Sequence, residues 1–508
     1  GYYGYKKTAI CAEIEITYKD GTIDIIATDE NWNTAVAGPV LYADIWNGEW
    51  FDATIKDPCV YIESTTWTKA EKFTDYTCEV VDFEGEKVCV TEYIAPKSAV
   101  VYRGVKNNGT DFGEINITKK TIGDNCECIT LKAGQTMILD FGADIVGRPS
   151  LAINALNGTN IKCLFAEMLN DSGDKYRGND GPKGSLYIAN YRSALARFNY
   201  VAASTSSRRQ LNIIKPLHTF YGFRYMEITA DKDVNIECIT AEVLGADMEY
   251  IGDFECPDPL VNKLYQNIVR GMRGNYLGIP TDCPQRDERK GWTADTQVFM
   301  NVATYNMFCA EFYRKWIEDL NSNLLKNNGC FTNFCPDPNP YSTPSTAWAD
   351  AGIICPWLMF VKYGDTQLLS KYYHNMAHWI DWQIENQSGK LIVNNTSFGD
   401  WLNADDPISK PYLCTAYMAG MIKLLIKIAT INGNIQEVQK RTELLEKVLV
   451  EFHKAFLRED GGLTEQSQTA MLLALYFELL PESSVDIVSK DLLESIVNKR
   501  GMHLSTGF

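Results

Sequence analysis

Apolar and polar positions alternate along the first half of the chain. The stretch 12–18 (AEIEITY) has a two-residue period, 19–22 (KDGT) interrupts it with turn chemistry, and 23–27 (IDIIA) resumes it. A period of two belongs to strands that bury one face. Similar runs recur at 88–93, 99–102, 136–141, 161–165 and 225–229. Many short strands separated by Gly, Asn and Asp predict β-sandwiches. The period changes near Asp253, and from Pro257 onward apolar residues recur every three to four positions, the spacing of a buried helix face. A helix is predicted from Leu260, then others at 293–306, 308–325, 347–363, 366–385, 411–432, 434–457, 465–479 and 485–499. Asp365-Thr366 is a start signal and Pro481 a stop. The pattern therefore predicts two N-terminal β-sandwich domains, over 1–118 and 119–250, followed by an (α/α)6 six-hairpin toroid over 251–508. About nine helices fit before Phe508, so the toroid is expected to be truncated at its C-terminus; the first sandwich, opening directly in strand pattern without an initiator Met, is expected to lack its start.

Bulk properties narrow the partners. A chain of 508 residues exceeds one hydrophobic core, and 45% hydrophobic with 22% charged residues is ordinary for a globular protein. A net charge of −17 repels phosphate backbones and anionic lipid, so neither nucleic acid nor membrane is an expected partner. No signal peptide, lipid-anchor motif or apolar run of 18 residues stands out. The 15 cysteines are odd in number and form no Cys-x-x-Cys pair, which argues for reduced thiols, a cytoplasmic setting and no structural zinc. His374 and His378 lie four apart on a predicted helix, without the Glu of a zinc-protease motif, so no metal and no cofactor is expected. Eleven Trp and 27 Tyr supply stacking faces for sugars, though most should be core.

The densest polar cluster runs from Asp282 to Asp295. It holds the acids Asp282, Asp287, Glu288 and Asp295 and the bases Arg286, Arg289 and Lys290. Pro280 and Pro284 keep its first part out of helix, and Trp292 opens the helix that follows. A loop feeding a helix start on a barrel rim can aim several carboxyls into one site. Glycoside cleavage needs such groups, to protonate the leaving oxygen and to activate water or attack the anomeric carbon. On spacing alone, a salt-bridged surface loop is the commoner explanation.

The run TDCPQRDER at 281–289, with Gly291 and Trp292, resembles the signature of the bacterial α-L-rhamnosidases, glycoside hydrolase family 78. Further segments are similar to that family in the right order: Gly38-Pro39 with 43–52, then 165–169, 221–225, 398–401 and 465–480. Lys290 and Ala294 depart from it, standing where an aliphatic residue and Gly are more usual. The resemblance implies an inverting hydrolase of terminal α-L-rhamnose in rhamnosides. It implies Glu288 as general acid, Asp282 and Asp295 as acceptors for rhamnose hydroxyls, Arg286 as their holder and Trp292 as a wall. Trp348 and Trp401 would pack around the sugar, with a buried barrel Trp as the alternative for each. Cys283 is read as a small packing residue. Inversion needs a second carboxylate, which in the family resembled is a Glu following a Trp late in the barrel. None of the eleven Trp residues is followed by Glu, Trp316-Ile-Glu318 being the nearest case, so the base is expected beyond Phe508. Two rivals remain: a six-hairpin glycosidase for another sugar, and a non-catalytic carbohydrate binder using Trp32, Trp46, Trp50 and Trp67 of the sandwiches.

Overall fold

A computed structural model of the chain describes residues 9–74, 81–122, 129–204, 208–324, 329–337, 343–394 and 397–507. Twelve of the described strands form one sheet. Its path runs Ile129–Leu131, Val234–Ala246, Thr136–Ala155, Tyr221–Ala230, Asn160–Ala166, Arg197–Val201, Gly48–Asp52 and Val40–Asp44. The long strand Thr136–Ala155 organises it. Its first half pairs with Ser98–Lys106 and Tyr221–Ala230, and its second half with Val234–Ala246 and Gln210–Ile214. The register against Tyr221–Ala230 shifts between Asp140 and Ile145, where Gly142 takes φ 76° and its N–H donates to the Asp140 carboxylate at 2.7 Å. A bulge of this kind lets one strand turn from one layer of a sandwich into the other. Between the layers lie Leu139, Phe141, Phe165, Phe198, Tyr221, Phe223 and their neighbours, all nearly inaccessible. Phe165 stacks on Tyr221 and meets Phe223 edge-on.

Strands from early in the chain join the same sheet. Gly48–Asp52 adds in parallel to Arg197–Val201, Val88–Ile94 pairs with Val234–Ala246, and Glu114–Ile122, which runs across residue 118, pairs with Ser98–Lys106. The hairpin Glu13–Thr17/Ile23–Ala27 and the short pair Asn33–Thr34/Thr68–Lys69 stand outside it.

Beyond residue 258 the described chain is helical: α1 (Pro259–Asn275), α2 (Thr293–Asn306), α3 (Ala310–Ser322), α4 (Ala351–Tyr363), α5 (Thr366–Glu385), α6 (Lys410–Ile431), α7 (Ile435–Phe456), α8 (Gln468–Tyr476) and α9 (Glu482–Glu494). Capping follows ordinary chemistry. Asp258 accepts the Leu260 N–H ahead of Pro259, and Asp365 accepts those of Gln367 and Leu368. Helices alternate in character along the chain. The even-numbered ones pack on one another in succession, α2 on α4, α4 on α6 and α6 on α8, while α5 and α7 lie against α6. This makes an inner and an outer row of hairpins. An inner helix is apolar on most faces, as α4, α6 and α8 are. By length and composition α6 is apolar enough to cross a membrane, although Lys423 and Lys427 interrupt its apolar run; about two-thirds of its apolar window is buried inside this domain, where it serves as a core helix.

Several predicted helices are shorter than expected: α3 spans 310–322 rather than 308–325, and α8 spans 468–476 rather than 465–479. Residues 347–350 do not belong to α4, because Ala347 takes φ 75° and its N–H is held by the Asp350 carboxylate at 2.8 Å. The last helix, expected to reach 499, ends at Glu494 and continues as a wider π turn over Ser495–Lys499.

Candidate active site

The polar cluster forms the loop between α1 and α2. Its ends are tied together: the Asp282 N–H donates to the Lys290 carbonyl at 3.0 Å, and the Lys290 N–H donates to Asp282 Oδ1 at 2.9 Å. Gly291 then passes so close to the Cys335 carbonyl that an added Cβ would lie 2.2 Å from that oxygen. The close pass is fixed by the Cys335 N–H, which donates to the Gly291 carbonyl at 2.8 Å. Trp292 follows, bridged to Phe334, and α2 begins.

Within this frame Glu288 is held at both oxygens. Trp292 Nε1 donates to Oε1 at 3.0 Å, Arg192 Nη2 donates to Oε2 at 2.8 Å, and Arg286 Nη2 stands 3.4 Å from Oε2. Arg286 also reaches Asp282 Oδ2 at 3.5 Å, so one guanidinium leans between two carboxylates at long range. Its Nε is buried without a hydrogen-bond partner. Burial raises the Asp282 carboxyl above the usual range, against the pull of the Lys290 N–H. Asp295, in the first turn of α2, is pushed up to about 6 by the protein around it, with the Asp282 and Glu288 charges acting the same way. Its outer side is exposed, so solvent moderates the shift.

Aromatic rings gather beside the acids. Trp292 meets Phe334 and Phe398 edge-on at 5.4 and 5.8 Å, and Trp348 meets Phe398 and Trp401 at 4.8 and 6.3 Å. Trp401 and Phe398 expose 50% and 41% of their surface, whereas Trp348 exposes 4% and serves as their backing. The Trp348 turn rests on Asp350, which is fully buried and accepts the Trp379 Nε1–H at 2.7 Å.

Three groups of the cluster turn away from this centre. Arg289, also at positive φ, is buried and donates to the carbonyls of Ile45, Phe220 and Gln285 at 2.6, 3.1 and 2.9 Å. It does not face the carboxylates, as its charge alone suggested. Asp287 faces Arg192 and Ser193 of the sandwich. Cys283 is buried, and burial with the Asp282 charge beside it pushes its thiol up to about 12, the opposite of an activated nucleophile. Sequence reasoning missed Arg192, Phe334 and Phe398. Arg192 lies 96 residues from Glu288, and no local pattern marks it.

The arrangement brings a held carboxyl, two further carboxyls of raised proton affinity, a partly unpaired guanidinium and an aromatic wall together. Such a set can bind hydroxyl groups and deliver a proton. Comparison with known proteins gives the same region a family. Residues 249–508 match the bacterial alpha-L-rhamnosidase six-hairpin glycosidase domain, 130–245 the concanavalin-like domain of these proteins and 1–92 their N-terminal domain. An alpha-L-rhamnosidase of Streptomyces avermitilis is 31% identical over all of this chain and 45% of its own length. One from Formosa agariphila is 31% identical over 98% of this chain and 50% of its own. The solved Streptomyces avermitilis enzyme, complexed with L-rhamnose, superposes with a TM-score of 0.80 at 28% identity, over 98% of this chain and 44% of that one. The native Aspergillus terreus enzyme gives 0.80 at 25% identity, over 98% and 54%. The chain thus spans about half the length of the curated relatives it matches.

Proposed function

The chain belongs to the bacterial α-L-rhamnosidase family, and on that footing we propose that it carries the acid side of a site that hydrolyses terminal α-L-rhamnose from rhamnosides with inversion. Glu288 is the general acid. Asp282, Asp295 and Arg286 engage the rhamnose hydroxyls. Trp292 lines the sugar's apolar face, with Trp401 beside it and Trp348 behind. The observation that carries this reading is the fixing of both Glu288 oxygens next to that aromatic cluster, since an acid that must protonate a leaving oxygen needs a defined direction. The inverting partner, a carboxylate that activates water from the opposite face at roughly 6.5–9.5 Å, is assigned to no residue of this chain. Burial raises the proton affinity of both Asp282 and Asp295, and at about 6 Asp295 can act as donor or acceptor in mildly acidic solution.

The test is Glu288→Gln in the protein that carries this sequence. Cleavage of a rhamnoside with a sugar or alkyl leaving group should fall by roughly 10²–10⁴-fold, the usual contribution of a positioned acid. A nitrophenyl rhamnoside, whose leaving group needs little protonation, should lose far less. Equal losses on both substrates would remove Glu288 from the role. A panel of other aryl glycosides decides the sugar: faster turnover of any non-rhamnoside would replace rhamnose in the proposal.

A further inference from the structure

We propose that Arg192, a residue of the β-sandwich rather than of the helical domain, is the positioning residue that aims Glu288; the proposal rests on the acid role of Glu288 given above. One guanidinium holds two successive carboxylates of the catalytic loop. Nε donates to Asp287 Oδ1 at 2.6 Å and Nη2 to Glu288 Oε2 at 2.8 Å. The Ser193 N–H closes the clamp by donating to Asp287 Oδ2 at 3.2 Å, and the Ser193 hydroxyl donates to the same oxygen. Arg286 is the other cation near Glu288, but at 3.4 Å and shared with Asp282 it holds the carboxylate less tightly.

Two further observations separate this clamp from an incidental surface ion pair. Arg192 has φ 58° and ψ −111°, a backbone conformation that favours glycine and strains a residue with a side chain. The Arg192 side chain is 48% exposed, and ion pairs so exposed return little stability. Such strain is not recovered as stability by so exposed a pair, so the side chain's value lies in what it orients. The platform beneath it is rigid. Arg192 ends the short helical turn Ala189–Tyr191, whose Tyr191 is 1% exposed and donates its hydroxyl to the Gly222 carbonyl at 2.5 Å. Asp180 Oδ2 receives the N–H groups of Ile188 and Ala189 at 2.9 and 2.8 Å at the start of that turn. A planar fork on a fixed base constrains the direction of a carboxylate, which a lysine ammonium does not. In this arrangement the sandwich sets the angle of the acid, and Trp292 of the helical domain sets its other oxygen.

The experiment compares the protein carrying this sequence with its Arg192→Met, Arg192→Lys, Asp287→Asn and Arg192→Met/Asp287→Asn variants. Arg177→Met, which removes the exposed pair with Asp171 in the same sandwich, is the control for loss of a surface charge. In Arg192→Met, kcat on the poor-leaving-group rhamnoside should fall roughly tenfold to a hundredfold, with KM within about twofold and a much smaller loss on the nitrophenyl rhamnoside. Lys should restore part of the rate, and the double variant should lose less than the two single losses multiplied. A loss shared equally by both substrates, a change confined to KM, or behaviour matching Arg177→Met would overturn the proposal. A crystal structure of Arg192→Met gives a readout that needs no turnover: the Glu288 carboxylate should leave its 3.0 Å contact with Trp292 Nε1. If it stays in place, Arg192 is not its positioning residue. Absence of rhamnoside cleavage by the unaltered protein would instead strike the rhamnosidase reading, with the crystal structure still deciding the role of Arg192.

Discussion

Burial, reinforced by neighbouring carboxyls, has a signed consequence for Asp295. Its folded-state value lies at about 6, above the roughly 4 of an unfolded chain. The protonated form is therefore favoured on folding, and the associated stability is present below about 4 and lost as pH rises through about 6. Ligand binding runs the other way. An ionised carboxylate accepts stronger hydrogen bonds from hydroxyl groups than a neutral carboxyl does. If Asp295 holds rhamnose hydroxyls, rhamnose affinity measured by calorimetry should weaken several-fold as pH drops through about 6, and Asp295→Asn should flatten that part of the curve. A pH-independent affinity in the unaltered protein would contradict the assignment. At this scale the chain exposes much of its site to a reader: Asp282, Arg286, Glu288, Trp292 and Asp295 are local in sequence, and the loop brings them together. Arg192 is invisible there because its partnership exists only after two domains meet, and the positive φ that would single it out is a property of the fold.

Elements translate these residues into place through close backbone approaches. At Gly291 the loop passes the Cys335 carbonyl, with Trp316 Nε1 also near the position a Cβ would take. A methyl group there must push the loop or the 329–337 segment aside. Gly291→Ala should lower the melting temperature, by a destabilisation of about 1–3 kcal/mol as for other overpacked sites, and should weaken rhamnose binding more than Ala substitution at the open helix position Gly271. An unchanged melting temperature would show that the segment yields freely. Periodicity located the helices well because inner and outer helices differ in how many faces they bury. It failed at 347–350, where Ala347 turns left-handed to seat Trp348 over Asp350; an alanine carries no mark of that geometry. The full length of Thr136–Ala155 was equally hidden, since the bulge near Gly142 breaks its alternation into what resembles two strands.

Across the whole molecule, sandwich and helical domain share the loop at 281–292. The helical domain supplies its ends, and its middle is fastened to the sandwich through Arg192 of the sandwich and Arg289 of the loop. Arg289 is buried, and its three acceptors come from three stretches of chain: Ile45, Phe220 and Gln285. Removing a charged donor from such acceptors costs about 1.5–3 kcal/mol for each bond. Arg289→Met should therefore lower the melting temperature and speed limited proteolysis of the loop, while leaving far-ultraviolet circular dichroism of the sheet and helices in place. Unchanged proteolysis would mean that Arg192 suffices as the grip. The two arginines differ in what they grip. Arg192 depends on the acidic side chains of Asp287 and Glu288, so its contact constrains the identity of those residues. Arg289 binds main-chain oxygens, which every amino acid carries. The identity of Ile45 is then free to drift as long as the backbone path is kept, whereas Phe220 also offers its ring to the Arg289 guanidinium and Gln285 donates to Glu167; a sandwich transplanted from a distant relative should still fasten this loop at Arg289 while losing its aim wherever the counterpart of Arg192 is missing.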